Sequence, residues 1–316
     1  MNNFKWEKIG LLTDSLPQKS WSKSHMQFPA VLKLEDRIRV FFTTRPDPEP
    51  DGKNITYIRY LDIEDIESKK IIGFSDEPVI PLGGKGEFDE FGTMPGDFIR
   101  VGSKIYMFYT GWSRLQSVPY NFSIGLAVSE DNGLNFRKYS KGPVLGASVT
   151  NPFTVGSGAV IQKENLIHSF YIAGIEWLNI NGKLEHTYTI KHAVSNDGIS
   201  WDLTPGIAIQ RKDEFEALAA PTIIEIDSVY HMWFSYRGSY DFRDGKDSYK
   251  MGYACSKDLY SWHRNDDLAG IELSEEGWDS KMICYPYIIK LDAGIFMFYN
   301  GNNFGKDSLG IAKLSL

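Results

Sequence analysis

The stretch "YMFYTGW", Tyr106 to Trp112, reads as a strand closing in a small aromatic turn, and the chain writes it again as "HMWFSYRG" from His231 and "FMFYNGN" from Phe296. Worked outward, the phrase belongs to five aligned units: "MQFPAVLKLEDRIRVFFTTR", "TMPGDFIRVGSKIYMFYTGW", "FTVGSGAVIQKENLIHSFYIAG", "AAPTIIEIDSVYHMWFSYRG" and "CYPYIIKLDAGIFMFYNGN". Each is an apolar run, a short polar break such as Gly102-Ser103 or Asp292-Ala293-Gly294, then a second run rich in Tyr, Phe and Met. That is the pattern of two antiparallel strands joined by a tight hairpin.

A third strand follows in most units, as in "FSIGLAVSED", "TIKHAVSND" and "YKMGYACSKD", and an aromatic just past its turn, Phe136, Trp201 or Trp262, marks a fourth. Five such units in 316 residues give a repeat of roughly 63, with no helical periodicity of any length. The pattern predicts an all-β fold, a five-bladed β-propeller with four antiparallel strands per blade, as a single domain over 1–316. The fifth unit ends at "LGIAKLSL" without a fourth strand, while "FKWEKIGLL" at the N-terminus looks like one with nothing before it. The N-terminal strand is therefore expected to complete the last blade, which removes the free edges of the ring.

Aromatic residues make up 14% of the chain, which suits strands and also offers flat faces for sugar rings. A net charge of −7 without long Lys/Arg runs argues against a nucleic-acid partner or an anionic membrane surface. No apolar stretch approaches the roughly 20 residues that span a bilayer, and "MNNFKWEKIGLL" lacks the basic and apolar regions of a secretory signal, so a cytoplasmic location is expected. Cys255 and Cys284 read as reduced, buried thiols, and no His/Cys spacing suggests a metal, so no cofactor is expected.

In a propeller the first strand of each blade lines the central channel, so function is sought at the strand starts. These are "SHMQFP", "GTMPGDF", "TVGSGA", "EALAAP" and "WDSKMICYP". Their carboxylates are Asp97, Glu216 and Asp279. His25, Gln27, Trp278 and Tyr285 at the same starts are candidate sugar contacts. So are Arg45, Trp112 and Arg237, which follow second strands, as do Arg114, Glu176, Trp177 and Asn302. On this reading the second strand runs away from the channel entry, leaving some of these for the opposite face. Arg237 and Arg243 could hold a carboxylate or phosphate by a guanidinium fork.

The "D-h-h-h" start at Asp97, the "YMFYTG" and "FMFYNGN" strands and "IGLAVSEDNGLNF" together resemble the five-bladed propeller glycoside hydrolase superfamily. That superfamily includes family 43 arabinosidases and xylosidases, family 32 fructosidases and family 130 mannoside phosphorylases. The chain also resembles uncharacterised relatives associated with bacterial surface-polysaccharide biosynthesis. The resemblance covers nearly the whole chain and implies a carbohydrate partner, an oligosaccharide or glycoconjugate. Those enzymes usually carry Asp, Asp and Glu at the inner-strand starts of blades one, two and three. Asp97 matches the second. Blade one has Gln27 and Phe28 before Pro29, and blade three has Ser157 between two glycines, so the other two positions are vacant.

Hydrolysis of a glycosidic bond needs one protonated and one ionised carboxyl group. The vacancies leave two readings. In the first, the carboxylates are relocated, with Glu216 as general acid and Asp97 or Asp279 as base, and the protein is a glycoside hydrolase-like enzyme or a transferase or phosphorylase variant. In the second, it is a carbohydrate-binding propeller without catalysis. Blade starts that differ from one another suggest one asymmetric central site and favour an enzyme. A protein-interaction propeller would instead show a large apolar rim.

Overall fold

Each aligned unit becomes one antiparallel sheet in the computed structural model, which describes residues 4–13, 15–306 and 308–315. Blade one is β2 (Ser24–Lys33), β3 (Ile38–Arg45), β4 (Tyr57–Ile63) and β5 (Ile71–Phe74), and blade two is β6 (Gly92–Val101), β7 (Lys104–Ser113), β8 (Asn121–Ser129) and β9 (Arg137–Lys138). Blade three is β10 (Val155–Lys163), β11 (Leu166–Ile180), β12 (Lys183–Ser195) and β13 (Asp202–Leu203), and blade four is β14 (Ala217–Ile226), β15 (Val229–Arg237), β16 (Lys250–Ser256) and β17 (His263–Arg264). Blade five takes β18 (Cys284–Leu291), β19 (Gly294–Asn300) and β20 (Leu309–Ser315), then β1 (Lys5–Leu11) as its outer strand. Trp6 pairs with Leu314 and Leu11 with Gly310, so the predicted closure forms.

The phrase that set the register is packing. Tyr109, Tyr171, Tyr299, Phe41, Phe108, Phe170, Phe234 and Phe298 are all buried on second strands, each burial worth about 1.5–3 kcal/mol. The clusters they form lie between blades; one joins Phe41 and Ala30 of blade one to Met107, Tyr109 and Phe136 of blade two.

The recurrent glycines are required by contact. A Cβ on Gly301 or Gly310 would fall 2.5 or 2.0 Å from the Trp278 ring, and one on Gly111 or Gly125 would fall 2.5 or 2.6 Å from Phe88. An aromatic from the loop before each of these blades thus lies flat on a bare second and third strand.

The inner strands share a second device. A register shift follows Gln27, Met94, Gly156, Ala219 and Cys284 in the five blades, and blade one has a second between Ser24 and Gln27. Four of the residues that follow hold left-handed backbones, Phe28 at φ 52°, Ser157 at 44°, Ala220 at 46° and Tyr285 at 55°. Each is strained by about 1–2 kcal/mol. Such bulges bend a strand and re-aim its side chains, here toward the axis. Strain of this kind is held in place by bonds to the preceding blade. Ser157 N–H donates to Thr110 Oγ1 at 2.8 Å, Tyr285 N–H to Ser235 Oγ at 2.7 Å and Phe28 N–H to Asn300 Oδ1 at 3.0 Å. Thr43 is the blade-one equivalent of Thr110, but the residue it would serve is Pro95, which has no N–H. Its buried hydroxyl correspondingly lacks a partner among the described residues.

Candidate functional site

Strand direction decides which side chains can meet. A first strand starts at the mouth and runs inward; its hairpin turns, and the antiparallel second strand returns to the same mouth. Residues after second strands therefore sit on the same face as the blade starts, correcting the expectation that some lie opposite. Gln27, Arg45, Trp112, Arg237 and Tyr285 all line one funnel of about 440 Å³.

Its floor is aromatic. Phe28 of blade one and Tyr285 of blade five stack with centroids 3.8 Å apart and planes at 17°, and both rings also line a smaller axial chamber of about 30 Å³. Tyr120, Tyr188 and Tyr249 belong to the walls, with the Tyr120 and Tyr188 hydroxyls hydrogen-bonded to each other. Trp112 is fixed by its indole N–H on Thr56 Oγ1 at 2.8 Å.

The walls are also cationic. Arg45 donates to Gln27 Oε1 at 2.6 Å, and its Nε is buried without a partner among the described residues. Arg237, 3% exposed, lies over the Phe242 ring at 3.7 Å. It donates to the His186 and Gly238 carbonyls at 2.9 and 2.7 Å and to the Tyr249 hydroxyl at 3.3 Å. Neither guanidinium forms an ion pair among the described residues. Arg243 does, gripping Glu185 through both oxygens at 2.7 and 3.2 Å. Burial raises the Tyr285 phenol well above its ordinary range, an effect the Arg237 charge opposes.

Asp97 lies in the axial chamber, three residues past the bulge. Its Oδ2 accepts the Val160 N–H at 2.9 Å, and its Oδ1 accepts the Phe98 N–H at 2.8 Å and the Tyr287 hydroxyl at 2.9 Å. Burial raises its carboxyl above the ordinary carboxylate range, and these hydrogen bonds oppose the shift. Thr222, at the same register position in blade four, accepts the Ile288 N–H of the next blade at 3.0 Å. Asp97 thus serves one clear structural purpose, clasping blade two to blade three.

The structure does not bring the three expected carboxylates together, and Glu216 and Asp279 line neither the funnel nor the axial chamber. Asp279 takes the Tyr299 hydroxyl at 2.9 Å and pairs with Lys8 of the outer strand at 2.7 Å. Glu216 is held by both terminal nitrogens of Arg264 at 2.8 and 2.7 Å and by the Lys212 N–H at 2.7 Å. The same latch recurs in blade two, where Asp89 takes Tyr109 at 2.8 Å and Lys138 at 2.5 Å, and in blade three, where Asn151 meets Tyr171 and Lys191. In blade one Ser22 holds the place and accepts from Arg59 at 2.9 Å. A polar residue before the inner strand, bonded to a basic side chain of the third or outer strand of its blade, is a repeated blade fastener, and in blades two, three and five it also meets the second-strand tyrosine 20 positions on.

Trp278 and His25 are likewise elsewhere. Trp278 packs on Gly301, Gly310 and Tyr299 inside blade five. His25 bonds Ser24 Oγ at 2.8 Å in a separate cleft, and burial there lowers it to about 3. Arg114 pairs with Glu49, and Asn302 accepts the Lys281 and Met282 N–H groups, so both serve loops. Trp177 stacks at 4.1 Å on His186, whose buried ring nitrogens have no hydrogen-bond partner among the described residues and which burial lowers to about 3.

Tyr120 and Tyr249 escaped the sequence reading. Both stand immediately before a third strand, which also begins at the mouth, so the signal was available in the repeat. Among the described residues no cluster of His, Cys, Asp or Glu could hold a metal, and Cys255 and Cys284 are free thiols. No helix is long and apolar enough to cross a membrane.

No family model matches the chain. Among solved structures, a glycoside hydrolase superposes with a TM-score of 0.74 at 16% identity, covering 98% of this chain and 91% of that one. A thermostable family-43 glycoside hydrolase gives 0.64 at 14%, covering 95% and 92%. The β-1,2-mannobiose phosphorylase from Listeria innocua gives 0.68 at 12%, covering 98% and 96%. These likenesses confirm the fold, a five-bladed propeller used by glycosidases and by phosphorylases. In sequence, a 1,2-β-oligomannan phosphorylase of Thermoanaerobacter sp. (strain X514) is 27% identical over 156 residues, 47% of this chain and 49% of that protein. Uncharacterized protein MT1551 of Mycobacterium tuberculosis (strain CDC 1551 / Oshkosh) is 30% identical over 311 residues, 98% of this chain and 99% of its own length. Matched end to end, the chain belongs to the family of that mycobacterial protein, built on the propeller of the glycoside hydrolases and mannoside phosphorylases.

Proposed function

We propose that the chain is a carbohydrate-active enzyme that holds a glycan end in the funnel and exchanges a glycosidic bond using one protein carboxyl group, that of Asp97. The supporting observation is the fate of the three acids. Two are paired with Lys8 and Arg264, while Asp97 has no ion pair among the described residues, accepts three neutral hydrogen bonds and lies in the axial chamber that shares Phe28, Ser157 and Tyr285 with the funnel, its affinity for a proton raised by burial. Hydrolysis through a carboxylate pair needs two free groups on either side of the sugar. Phosphate arrives as an anion and needs only an acid for the leaving oxygen, whereas a sugar hydroxyl, like water, must also give its proton to a base. This favours phosphorolysis over hydrolysis.

The match between Asp97 and Thr222 supports a second reading, a propeller that binds sugar without turning it over. The two readings separate on incubation with a panel of oligosaccharides including β-1,2-mannobiose, with and without phosphate, followed for free sugar and sugar phosphate. Turnover that drops at least about 100-fold in Asp97→Asn while binding persists supports the acid. Equal turnover in that variant overturns it, and binding without turnover in the wild type establishes the second reading.

A further inference from the structure

We infer that Arg45 and Arg237 form an oxyanion cradle in the funnel, so that the ligand is a sugar carrying its own phosphoryl or carboxylate group. This rests on the reading that the funnel takes a sugar, but not on whether the bond is broken. A buried charge is costly unless paired, and native proteins pair buried arginines with carboxylates or bound anions. Outside the funnel two arginines follow that rule, Arg39 holding Asp62 through Nε and Nη2 at 2.8 Å each and Arg264 holding Glu216 and Asp266; buried Arg59 does not, donating to the Pro17 carbonyl and Ser22 Oγ, and it lines no part of the funnel.

Arg45 and Arg237 break the rule at the same place. Both line the funnel, neither has a carboxylate among the described residues, and Arg45 keeps a buried Nε–H with no acceptor. Arg237 is 3% exposed, with its plane fixed by Phe242 and two backbone carbonyls, which preorganises its remaining N–H groups. Both arginines line the one funnel whose floor Tyr285 forms, and the Arg237 charge opposes the rise of that phenol.

The surroundings indicate that the anion is attached to a sugar. Free phosphate would occupy a small part of 440 Å³ and leave the Trp112, Tyr120 and Tyr249 faces bare. A glycosyl phosphate or a hexuronate places its ring against those faces while its oxygens meet the guanidinium N–H groups, the geometry in which Arg recognises oxyanions best.

The test is equilibrium binding of four probes, mannose 1-phosphate, glucuronate, inorganic phosphate and methyl mannoside, read by tryptophan fluorescence and melting temperature. At least one sugar-linked anion should bind roughly tenfold or more tighter than both methyl mannoside and inorganic phosphate, and more weakly as salt rises. Arg45→Met and Arg237→Met, checked for a native circular dichroism spectrum, should lose most of that preference, and Arg45→Lys should keep part of it. Should either Met variant fail to fold, the salt dependence and the probe ranking in the wild type still decide. Methyl mannoside binding as tightly as the anions overturns the cradle and leaves the carbohydrate reading standing. Inorganic phosphate binding tighter than either sugar-linked anion overturns the attachment to sugar. No binding by any of the four overturns the cradle, and extending the screen to neutral oligosaccharides then judges the carbohydrate reading separately.

Discussion

The Tyr287 hydroxyl reaches across the channel from blade five to donate to Asp97 Oδ1 of blade two at 2.9 Å, joining inner strands that are not neighbours in the ring. With the Val160 bond on the other oxygen, this makes Asp97 a tie between three blades.

Asp97→Asn presents an amide that cannot accept every bond the carboxylate takes, leaving a buried N–H or hydroxyl unmatched. The expected loss is about 1–3 kcal/mol of stability. Asp97→Thr, copying Thr222, should recover the Val160 bond and lose less. Urea denaturation of the two variants checks this, and equal midpoints would show that the clasp contributes nothing.

Asp279 is predicted to matter for the fold and not for chemistry. Asp279→Asn removes the charge partner of Lys8, which stays partly exposed and keeps Ser274 Oγ at 2.8 Å, so the cost falls on the buried end of the pair and should be about 1–3 kcal/mol. Because blade three carries Asn151 at this position, the amide itself fits, so adding Lys8→Met should restore part of the loss. A double-mutant cycle by chemical denaturation measures the coupling, which should exceed about 0.5 kcal/mol.

Gly310→Ala forces a methyl group into the Trp278 ring, 2.0 Å from its nearest atom. The expected cost is about 1–3 kcal/mol or more, as for other overpacked cores. In a Trp278→Leu background the same substitution should cost distinctly less. Thermal unfolding of the four proteins tests it, and additive effects would refute the contact.

His192 stacks on Phe170 at 4.4 Å and shares a 3.0 Å hydrogen bond with His168 inside blade three. Burial, aided by His168, lowers it to about 4 from an ordinary 6.5. Between these values the unfolded chain holds the proton more tightly, so stability is complete above pH 6.5 and is lost as pH falls toward 4, by roughly 2–3 kcal/mol. His192→Phe should flatten that slope in urea titrations at several pH values. An unchanged slope would mean that another group carries it.

The ring was legible because its signals repeat. Alternation, hairpin breaks and the Trp-centred first strand each recur or complete a recurrence, and five blades with N-terminal closure followed from them. The site was harder because it consists of what fails to repeat. Glu216 and Asp279 look singular until Asp89, Asn151 and Ser22 are set beside them; Ser22, Asp89, Asn151 and Asp279 stand 20 residues before Phe42, Tyr109, Tyr171 and Tyr299, and Glu216, two residues past that position in blade four, binds the outer-strand Arg264 in the same manner. Trp278 was misplaced for the same reason, being the counterpart of Phe88. Arg45 and Arg237 stood out as polar residues after second strands, but nothing in one dimension shows that Arg243 has a carboxylate and they do not. That distinction depends on which loops face each other across the mouth.

The seal between β1 and β20 has a consequence for how the molecule is made. β1, which is synthesised before the other strands of the ring, can take its place only when β20 has emerged, since Trp6 pairs with Leu314. Four blades can assemble in order behind the ribosome, while the opening segment waits as an unpaired edge. Ring closure is then the contact of greatest sequence separation and the natural slow step, when a chaperone, a neighbouring nascent chain or the chain's own C-terminus competes for the same row of backbone hydrogen bonds.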